Sequence, residues 1–444
     1  MKEYVETNVM GIREIPKNWY VTKINYFTSI RTGGTPHKEN SLYWNNGTIN
    51  WMSSGEVNKE FVYATNNKIT KEGMLNSNAN LLPINSVMMA LNGQGKTKGM
   101  VAVLKVESTC NQSLAAFICD EIHLHYLYLY YFLKSRYKEI RGLVGDGLRD
   151  GISIGLLKSL RICIPPYIEQ IQISTYLNRK VNEINLLIEQ KEILISLLEE
   201  KRQAMITESV TKGLNPNVKM KDSGVDWIGE IPEHWEIKQI RHISTYVGSG
   251  KTPKGGSEIY PDSGVVFLRS MNVHYSGLKL EDVVYITPEI NDEMKSTQVQ
   301  PKDVLLNITG ASIGRSCMIP VDLEKANVNQ HVCIIRGAKN KIVPEFLKEV
   351  MAASFIKHQI LMNQNGSSRE GLNFAQVKEL QFPIPLNLEE QLQIAQYISD
   401  KVLQINSLIE DIQRQIYKLK DYRQSLIYEG VTGKIDVREF KAVQ

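Results

Sequence analysis

Long hydrophobic runs and paired cysteines are both missing from this sequence of 444 residues. No apolar stretch approaches the ~20 residues that a helix needs to cross a bilayer. The opening residues, Met1 to Glu6, lack the apolar core of a signal peptide. The five cysteines form no CxxC pair, so we expect reduced thiols in a cytoplasmic protein that has no membrane contact.

Complete catalytic motifs are also missing. The run Gly248 to Thr252 resembles the end of a phosphate-binding loop, but Thr245 occupies the place of the required first glycine. A Pro-Pro-Tyr run at 165–167 lacks the polar residue that precedes the prolines in amino-methyltransferase sites. His123 and His125 have no third zinc ligand nearby. We therefore expect no catalytic residue, no metal site and no cofactor in this chain.

The composition is typical of a globular protein, with 42% hydrophobic and 23% charged residues. The formal net charge is +4 and the isoelectric point is about 8.5. This mild basicity permits nucleic acid as a partner but does not identify one. The length is sufficient for two domains and their connections.

A stretch of alternating four- and three-residue apolar spacing begins at Leu177. This spacing places the apolar side chains on one face of a helix and is typical of a coiled-coil seam. The prolines at 165–166 and Gly213 bound the stretch, which predicts a rod of roughly 60 Å from its residue count. The seam residues that we expect to pack, and to support partner docking, are Leu177, Val181, Ile184, Ile188, Ile195 and Leu198.

The same pattern occurs a second time, 221 residues later, without a gap. Asn185 and Arg202 recur there as Asn406 and Arg423. Two rods in one register are predicted to pack against each other, and the order of the chain makes them antiparallel. The second seam consists of Ile398, Val402, Ile405, Ile409, Ile416 and Leu419.

The segments before the two rods are also repeats of one another. Ile-Pro-x-x-Trp occurs at 15–19 and 231–235, and Gly-x-Thr-Pro occurs at 33–36 and 250–253. Asn-Gln occurs at 111–112 and 329–330. Such self-similarity predicts a duplicated structural unit.

Each repeat combines short strand-like pieces with one amphipathic helix, at Leu124 to Ile140 and Pro344 to Gln359. We therefore predict an α+β protein in which two similar globular domains are separated by two long antiparallel coiled-coil helices, related by a pseudo-twofold axis. The expected domains are 1–165 and 214–385. The expected coiled-coil segments are the central helix, 166–213, and the C-terminal helix with its tail, 386–444.

Basic residues recur in the glycine-flanked loops of both repeats. Glycine lets the backbone approach a partner closely, and lysine or arginine can neutralise phosphates or pair with guanine edges. Any one of these residues is more typical of a solvated surface charge, whereas the set indicates DNA contact. The candidate DNA-binding residues are Lys38, Lys96, Lys98, Arg149, Lys251, Lys254, Arg269, Arg315 and Arg369.

In this order, and twice over, the motifs resemble those of the specificity subunit of a Type I restriction-modification enzyme. The resemblance covers essentially the whole chain. It depends on the Ile-Pro-x-x-Trp opening, the Gly-x-Thr-Pro turn, the Pro-x-x-x-Glu-Gln entry to each rod and the Arg-Gln…Val-Thr-x-Gly exit. The first rod departs slightly from this pattern at Pro166 to Gln170.

The resemblance implies two target-recognition domains, each of which reads one half of a split double-stranded DNA sequence. It also implies that the rods dock two methyltransferase subunits, which bring S-adenosylmethionine. Two restriction and translocase subunits would bring ATP and Mg for cleavage. The chain itself would be a non-catalytic specificity subunit.

Two alternatives remain at this stage. The chain could be a non-catalytic adaptor whose two domains hold protein ligands on a coiled-coil scaffold. It could also be a self-sufficient restriction enzyme, although that function needs catalytic motifs that the sequence lacks.

Overall fold

Two long helices dominate the secondary structure. The computed structural model describes residues 3–93, 95–144, 151–253, 260–364 and 371–437. The first long helix is Tyr167–Lys212 and the second long helix is Leu388–Val431. The chain divides into two units: unit 1 contains Met1–Lys191 and Arg414–Gln444, and unit 2 contains Glu192–Gln413.

The predicted seam is confirmed as the buried face of the long helices, because none of its twelve positions is exposed. In unit 1, four consecutive seam residues of the first long helix are at most 7% exposed. The buried positions are Leu177, Val181, Ile184, Ile188, Ile398, Ile405, Ile409 and Ile416, and the half-buried ones are Ile195, Leu198, Val402 and Leu419.

Polar contacts within unit 1 show that the two long helices are antiparallel there. Lys191 Nζ donates to Gln415 Oε1 at 2.6 Å. Arg423 donates to Asn185 Oδ1. Residue numbers therefore rise along one helix as they fall along the other. These contacts also explain the polar residues that interrupt the apolar pattern, since polar side chains that pair across a seam favour one register of the two helices.

Unit 2 contains the reciprocal contact, in which Arg202 Nη1 donates to Asn406 Oδ1 at 2.6 Å. The first long helix also contacts the globular part of unit 2. Gln203 Nε2 donates to the carbonyl of Ala352 at 2.9 Å, and the Ser354 N–H donates to Thr207 Oγ1 at 3.1 Å.

These contacts accompany a correction to the predicted helices. The helix expected at Pro344 to Gln359 is two helices, because Ala353 has an extended backbone and Gln203 and Thr207 satisfy the groups freed at the break. The helix expected at Leu124 to Ile140 is likewise interrupted, at Arg136. The helices of these two regions are Tyr126–Ser135, Tyr137–Gly142, Pro344–Ala352 and Ser354–Gln364.

The globular part of unit 1 is built on a mixed sheet of five strands and a smaller sheet of three. Its short helices are Lys71–Leu75 and Ile154–Ser159. In sheet order the larger sheet is Thr28–Thr32, Leu114–Cys119, Val87–Ala90, Val101–Leu104 and Phe61–Val62, and the smaller is Thr109–Cys110, Ile49–Met52 and Asn67–Ile69. Two-stranded pairs join Tyr4–Glu6 to Glu14–Pro16 and Tyr20–Lys23 to Arg161–Ile164.

Unit 2 repeats this plan with one strand fewer in the larger sheet. Its short helices are Ile240–Ile243, Pro288–Glu293 and Phe374–Glu379. The larger sheet is Ser244–Ser249, Val332–Gly337, Val304–Asn307 and Ser316–Met318, and the smaller is Val284–Ile286, Val265–Leu268 and Ala326–Val328. The two-stranded pairs are Met220–Asp222 with Glu230–Pro232, Trp235–Gln239 with Gln381–Pro385, and Val273–His274 with Gly277–Leu278.

The motifs at the start of each rod join the long helix to its own globular part. Trp19 Nε1 donates to Glu169 Oε2 at 3.2 Å, and Trp235 Nε1 donates to Glu390 Oε1 at 3.0 Å. Next to each glutamate is a fully buried glutamine, Gln170 or Gln391. Each glutamine makes three hydrogen bonds to the backbone of its own unit. Because a buried amide must be fully paired, these residues fix the angle at which the helix leaves the domain.

All five cysteines are free thiols, as expected. Within the described residues, no helix has both the length and the apolar character needed to span a bilayer.

Candidate nucleic-acid interface

In unit 1 the Gly-x-Thr-Pro turn lies against the Asn-Gln loop. The N–H of Gly34 donates to the carbonyl of Cys110 at 2.9 Å, and Thr35 Oγ1 donates to Gln112 Oε1 at 2.6 Å. A Cβ atom on Gly33 would lie only 1.8 Å from the Cys110 oxygen. Glycine is therefore required at 33 by the close approach of two backbones.

Unit 2 contains a similar contact between the two motifs. The N–H of Gly250 donates to the carbonyl of Asn329 at 3.1 Å, and the Thr252 hydroxyl donates to Gln330 Oε1. A Cβ atom on Gly250 would lie 1.5 Å from the Val328 oxygen. In both units an exposed glutamine thus has its amide orientation set by the threonine of the turn.

A third loop joins this pair in each unit. In unit 1, the N–H of Leu91 donates to the Ser113 carbonyl at 2.8 Å, and in unit 2 the N–H of Ile308 donates to the His331 carbonyl at 3.0 Å. Thr309 Oγ1 lies 2.6 Å from His331 Nδ1. Each unit therefore brings together three loops that are distant in the sequence.

In unit 2 the Asn-Gln loop, through His331, and the loop that starts at Thr309 border an open recess of about 420 Å³, together with Ser270 and Met271. The fully buried Asn307 ties its sides together by donating to the Ser270 carbonyl at 2.8 Å and to Ser312 Oγ at 3.1 Å. Arg315 and His331 also line the recess. Donors and acceptors are thus presented on a supported surface, which is what recognition of base edges requires.

Arg315 carries the positive charge at this recess. It is half-buried, and no described residue places a carboxylate within ion-pair distance of it. Beside it, burial raises the pKa of Tyr275 to about 12. The Tyr275 phenol therefore keeps its proton at neutral pH and donates to the Gly314 carbonyl at 2.9 Å, which supports the loop that carries Arg315.

The remaining basic candidates have different surroundings. Lys38, Lys96 and Lys251 are exposed on the loops described above. Arg269 is half-buried and donates through Nη2 to the Asp282 carbonyl at 2.9 Å. Lys98 is only 3% exposed, so it offers no surface for a phosphate contact in this structure. Arg149, Lys254 and Arg369 lie outside the described residues.

The choice of charged candidates missed the uncharged residues that hold the loops together, namely Thr35, Gln112, Thr252, Gln330 and His331. The signal was available in the sequence, because the threonine and glutamine of each pair recur in both repeats. What the sequence did not show is that the two motifs touch.

Comparison with known proteins agrees with this architecture. A family model for the Type I restriction modification DNA specificity domain matches residues 16–197 and 232–418. The MjaVIII Type I restriction enzyme specificity subunit of Methanocaldococcus jannaschii is 25% identical, over 99% of this chain and 98% of its own length.

Two solved structures have the same fold. A chain from a study of complex assembly and conformational transition of the type I R-M system has a TM-score of 0.68 at 13% identity, covering 95% of this chain and 99% of that chain. The HsdS subunit from Thermoanaerobacter tengcongensis has a TM-score of 0.52 at 13% identity, covering 96% and 99%.

The present chain belongs to the family of Type I restriction-modification DNA specificity subunits. It is therefore a non-catalytic, DNA-binding member of a restriction system, and the catalytic activities reside in other subunits.

Proposed function

We propose that this chain reads a bipartite DNA target, with residues 1–165 contacting one half-site and residues 214–385 the other. The observation that carries the proposal is the duplicated interface, in which each unit joins a glycine-threonine turn to an exposed, oriented glutamine. Lys38, Lys96, Lys251, Arg269 and Arg315 would add phosphate or guanine contacts. Lys98 is omitted because it is buried.

The two copies of the interface suggest a division of roles. The pairs Thr35–Gln112 and Thr252–Gln330 are the same in both, so they suit contacts common to any DNA sequence, such as those to the backbone. The side chains that differ suit the reading of bases. By their equivalent backbone hydrogen bonds, Ser113 corresponds to His331, Asn92 to Thr309 and Met100 to Arg315.

We further propose that two methyltransferase subunits dock on the long helices and bring S-adenosylmethionine. The seam residues are engaged in helix packing, so they would support docking indirectly. Exposed apolar side chains offer a direct surface, including Leu186 and Tyr417 in unit 1 and Ile193 and Leu403 in unit 2. Two restriction and translocase subunits would add ATP- and Mg-dependent cleavage. The assembly would act on DNA in the cytoplasm.

Exchange of residues 1–165 for those of a relative tests independent reading. Methylome sequencing of a host that carries the complete system should show one half-site changed and the other retained. A change in both half-sites would refute the assignment of one domain to each half.

Binding measurements distinguish this function from that of a protein-interaction adaptor. With the methyltransferase subunit present, affinity for the target sequence identified by methylome sequencing should exceed affinity for random duplex. The affinity should also fall steeply with salt, because binding to phosphates releases counterions. An adaptor should show no site preference.

A further inference from the structure

A basic cavity of about 400 Å³ lies in unit 2 beside the first long helix. Its lining includes four basic side chains, Arg202, Arg315, Lys348 and Lys357, but only one carboxylate, Glu349. That carboxylate is already paired with Lys348 Nζ at 2.8 Å. The other three cations have no carboxylate within ion-pair distance among the residues that the structure describes.

Neutral groups hold two of these cations in place. Arg202 Nη1 donates to Asn406 Oδ1 at 2.6 Å, and Lys357 Nζ donates to Gln203 Oε1 at 2.7 Å. Lys357 Nζ also lies 4.4 Å from the centre of the Tyr275 ring. These contacts orient the charges without neutralising them, so the cations remain available to a ligand.

The charges disfavour one another in the empty cavity. Burial and the nearby Arg202 lower the pKa of Lys357. Like charges held together in a partly desolvated site are costly unless an anion joins them. A bound anion would therefore offset the repulsion between these cations.

Unit 1 provides an internal comparison. The equivalent Arg-Gln pair of the second long helix, Arg423–Gln424, lines a cavity of about 270 Å³. There Lys134 Nζ is paired with Glu60 Oε1 at 2.7 Å, and Tyr130 OH donates to the other oxygen of the same carboxylate at 3.2 Å. The protein thus supplies its own carboxylate in unit 1, whereas the Arg202 cavity of unit 2 lacks one for three of its cations.

We infer that the cavity in unit 2 is an anion site that takes a phosphate group through Arg202, Arg315 and Lys357. A tetrahedral oxyanion can accept hydrogen bonds from several cationic donors at once. Since Arg315 also borders the open recess of the DNA interface, the phosphate could belong to the DNA backbone. A free phosphate is the other source of the same chemistry.

Two substitutions of Lys357 test the site. Lys357→Gln keeps a hydrogen-bonding group beside Gln203, and Lys357→Met keeps the hydrocarbon chain over the Tyr275 ring. The matched control is Lys341→Gln, which removes a lysine of the same unit whose Nζ donates to the His242 carbonyl instead, at 2.9 Å.

The first measurement uses inorganic phosphate and the full chain. Phosphate should raise the thermal melting midpoint of wild type and of Lys341→Gln above that in chloride of equal ionic strength, and the shift should be lost in both Lys357 variants. The second measurement uses target DNA with the methyltransferase subunit present. Loss of one phosphate contact should reduce the steepness of log affinity against log salt concentration by about 0.9. The fall in affinity between 50 and 200 mM salt should then be about 3.5-fold smaller than in wild type.

A reduced DNA salt slope in the Lys357 variants identifies backbone phosphate as the ligand. A loss of the phosphate-dependent melting shift alone identifies a free anion. If both Lys357 variants match Lys341→Gln in both measurements, the inference is overturned. The DNA measurement rests on the proposed function, whereas the phosphate measurement does not. Wild type without any DNA site preference would therefore contradict the proposed function and leave the anion site decided by the first measurement.

Discussion

The substitution Gly33→Ala should disable the candidate DNA interface of unit 1 through one steric contact. The added Cβ would lie 1.8 Å from the carbonyl oxygen of Cys110. Cys110 is fully buried and its strand is paired with Ile49–Met52 in the smaller sheet of unit 1. The turn must therefore move, because the strand opposite has no free space into which it can retreat.

The size of the movement sets the expected effect. Folded proteins almost never place a Cβ closer than 3.0 Å to another heavy atom, so the turn must shift by at least 3.0 − 1.8 = 1.2 Å. A shift of that size takes the Gly34 N–H beyond hydrogen-bonding distance of the Cys110 oxygen, now 2.9 Å away. Steric strain of about 1–3 kcal/mol and a lost hydrogen bond of about 0.5–1.5 kcal/mol give a destabilisation of about 1.5–4.5 kcal/mol.

Urea denaturation of the full chain measures this loss, and methylome sequencing measures its functional consequence. The control is Gly55→Ala, because a Cβ at Gly55 meets no atom within 4 Å. Methylation should lose its dependence on the first half-site in Gly33→Ala only. If Gly33→Ala unfolds at the same urea concentration as Gly55→Ala and retains the full target, the steric reasoning is wrong.

Three further predictions concern the scaffold. Ile409→Asp should destabilise the helix pair by several kcal/mol and reduce co-purification of the methyltransferase subunit, because it buries a carboxylate at a position 7% exposed. Leu408→Asp, at 52% exposure, should not destabilise the helix pair. Gln391→Leu should cost about 1–3 kcal/mol in urea unfolding for each backbone group left unpaired, and a neutral result would exclude a role in the joint. Burial alone would raise the pKa of Glu56, but backbone hydrogen bonds and Lys59 lower it. The stabilisation by this carboxylate is present above its unfolded pKa of 4.5 and is lost as the pH falls below that value. Glu56→Gln should therefore be less stable than wild type at neutral pH, and the difference should shrink in acid; a difference independent of pH would contradict the charge assignment.

The long helices and their seam could be predicted from sequence because their information is local. Helical periodicity places residues three and four apart on one face, so Leu177 and Val181 identify that face without any tertiary knowledge. The polar interruptions were visible but had no assigned role. Their meaning depends on the opposite helix, where Asn185 and Asn406 accept hydrogen bonds from the two arginines.

The breaks in the shorter helices could not be predicted in the same way. Nothing in the sequence near Ala353 demands an extended residue. The break is stabilised by Gln203 and Thr207, which are about 150 positions away in the chain. Helix propensity is a local quantity, so tertiary caps of this kind override it without leaving a local signal.

The candidate interface shows the same limit. Choosing candidates by their charge identified exposed residues such as Lys251, but it also included Lys98, which is buried. The contact between Thr35 and Gln112 spans 77 positions, and no periodic pattern encodes such a separation. In the sequence, the contact is indicated by the occurrence of both motifs in each repeat. The structure shows the physical reason, which is the hydrogen bond between the threonine and the glutamine.

The motifs that made the family recognisable lie largely outside the candidate nucleic-acid interface. Trp19, Glu169 and Gln170 form hydrogen bonds that join the first long helix to its own domain. These bonds fix the geometry of the joint, and the three residues do not belong to the candidate interface. The side chains that differ between the repeats, such as Ser113 and His331, lie instead on loops supported from below by the sheets. Under the proposed function, a change of base preference therefore requires no change at the joint. This separation gives a physical reason why such chains can diverge in target while the helices that bear them keep one register.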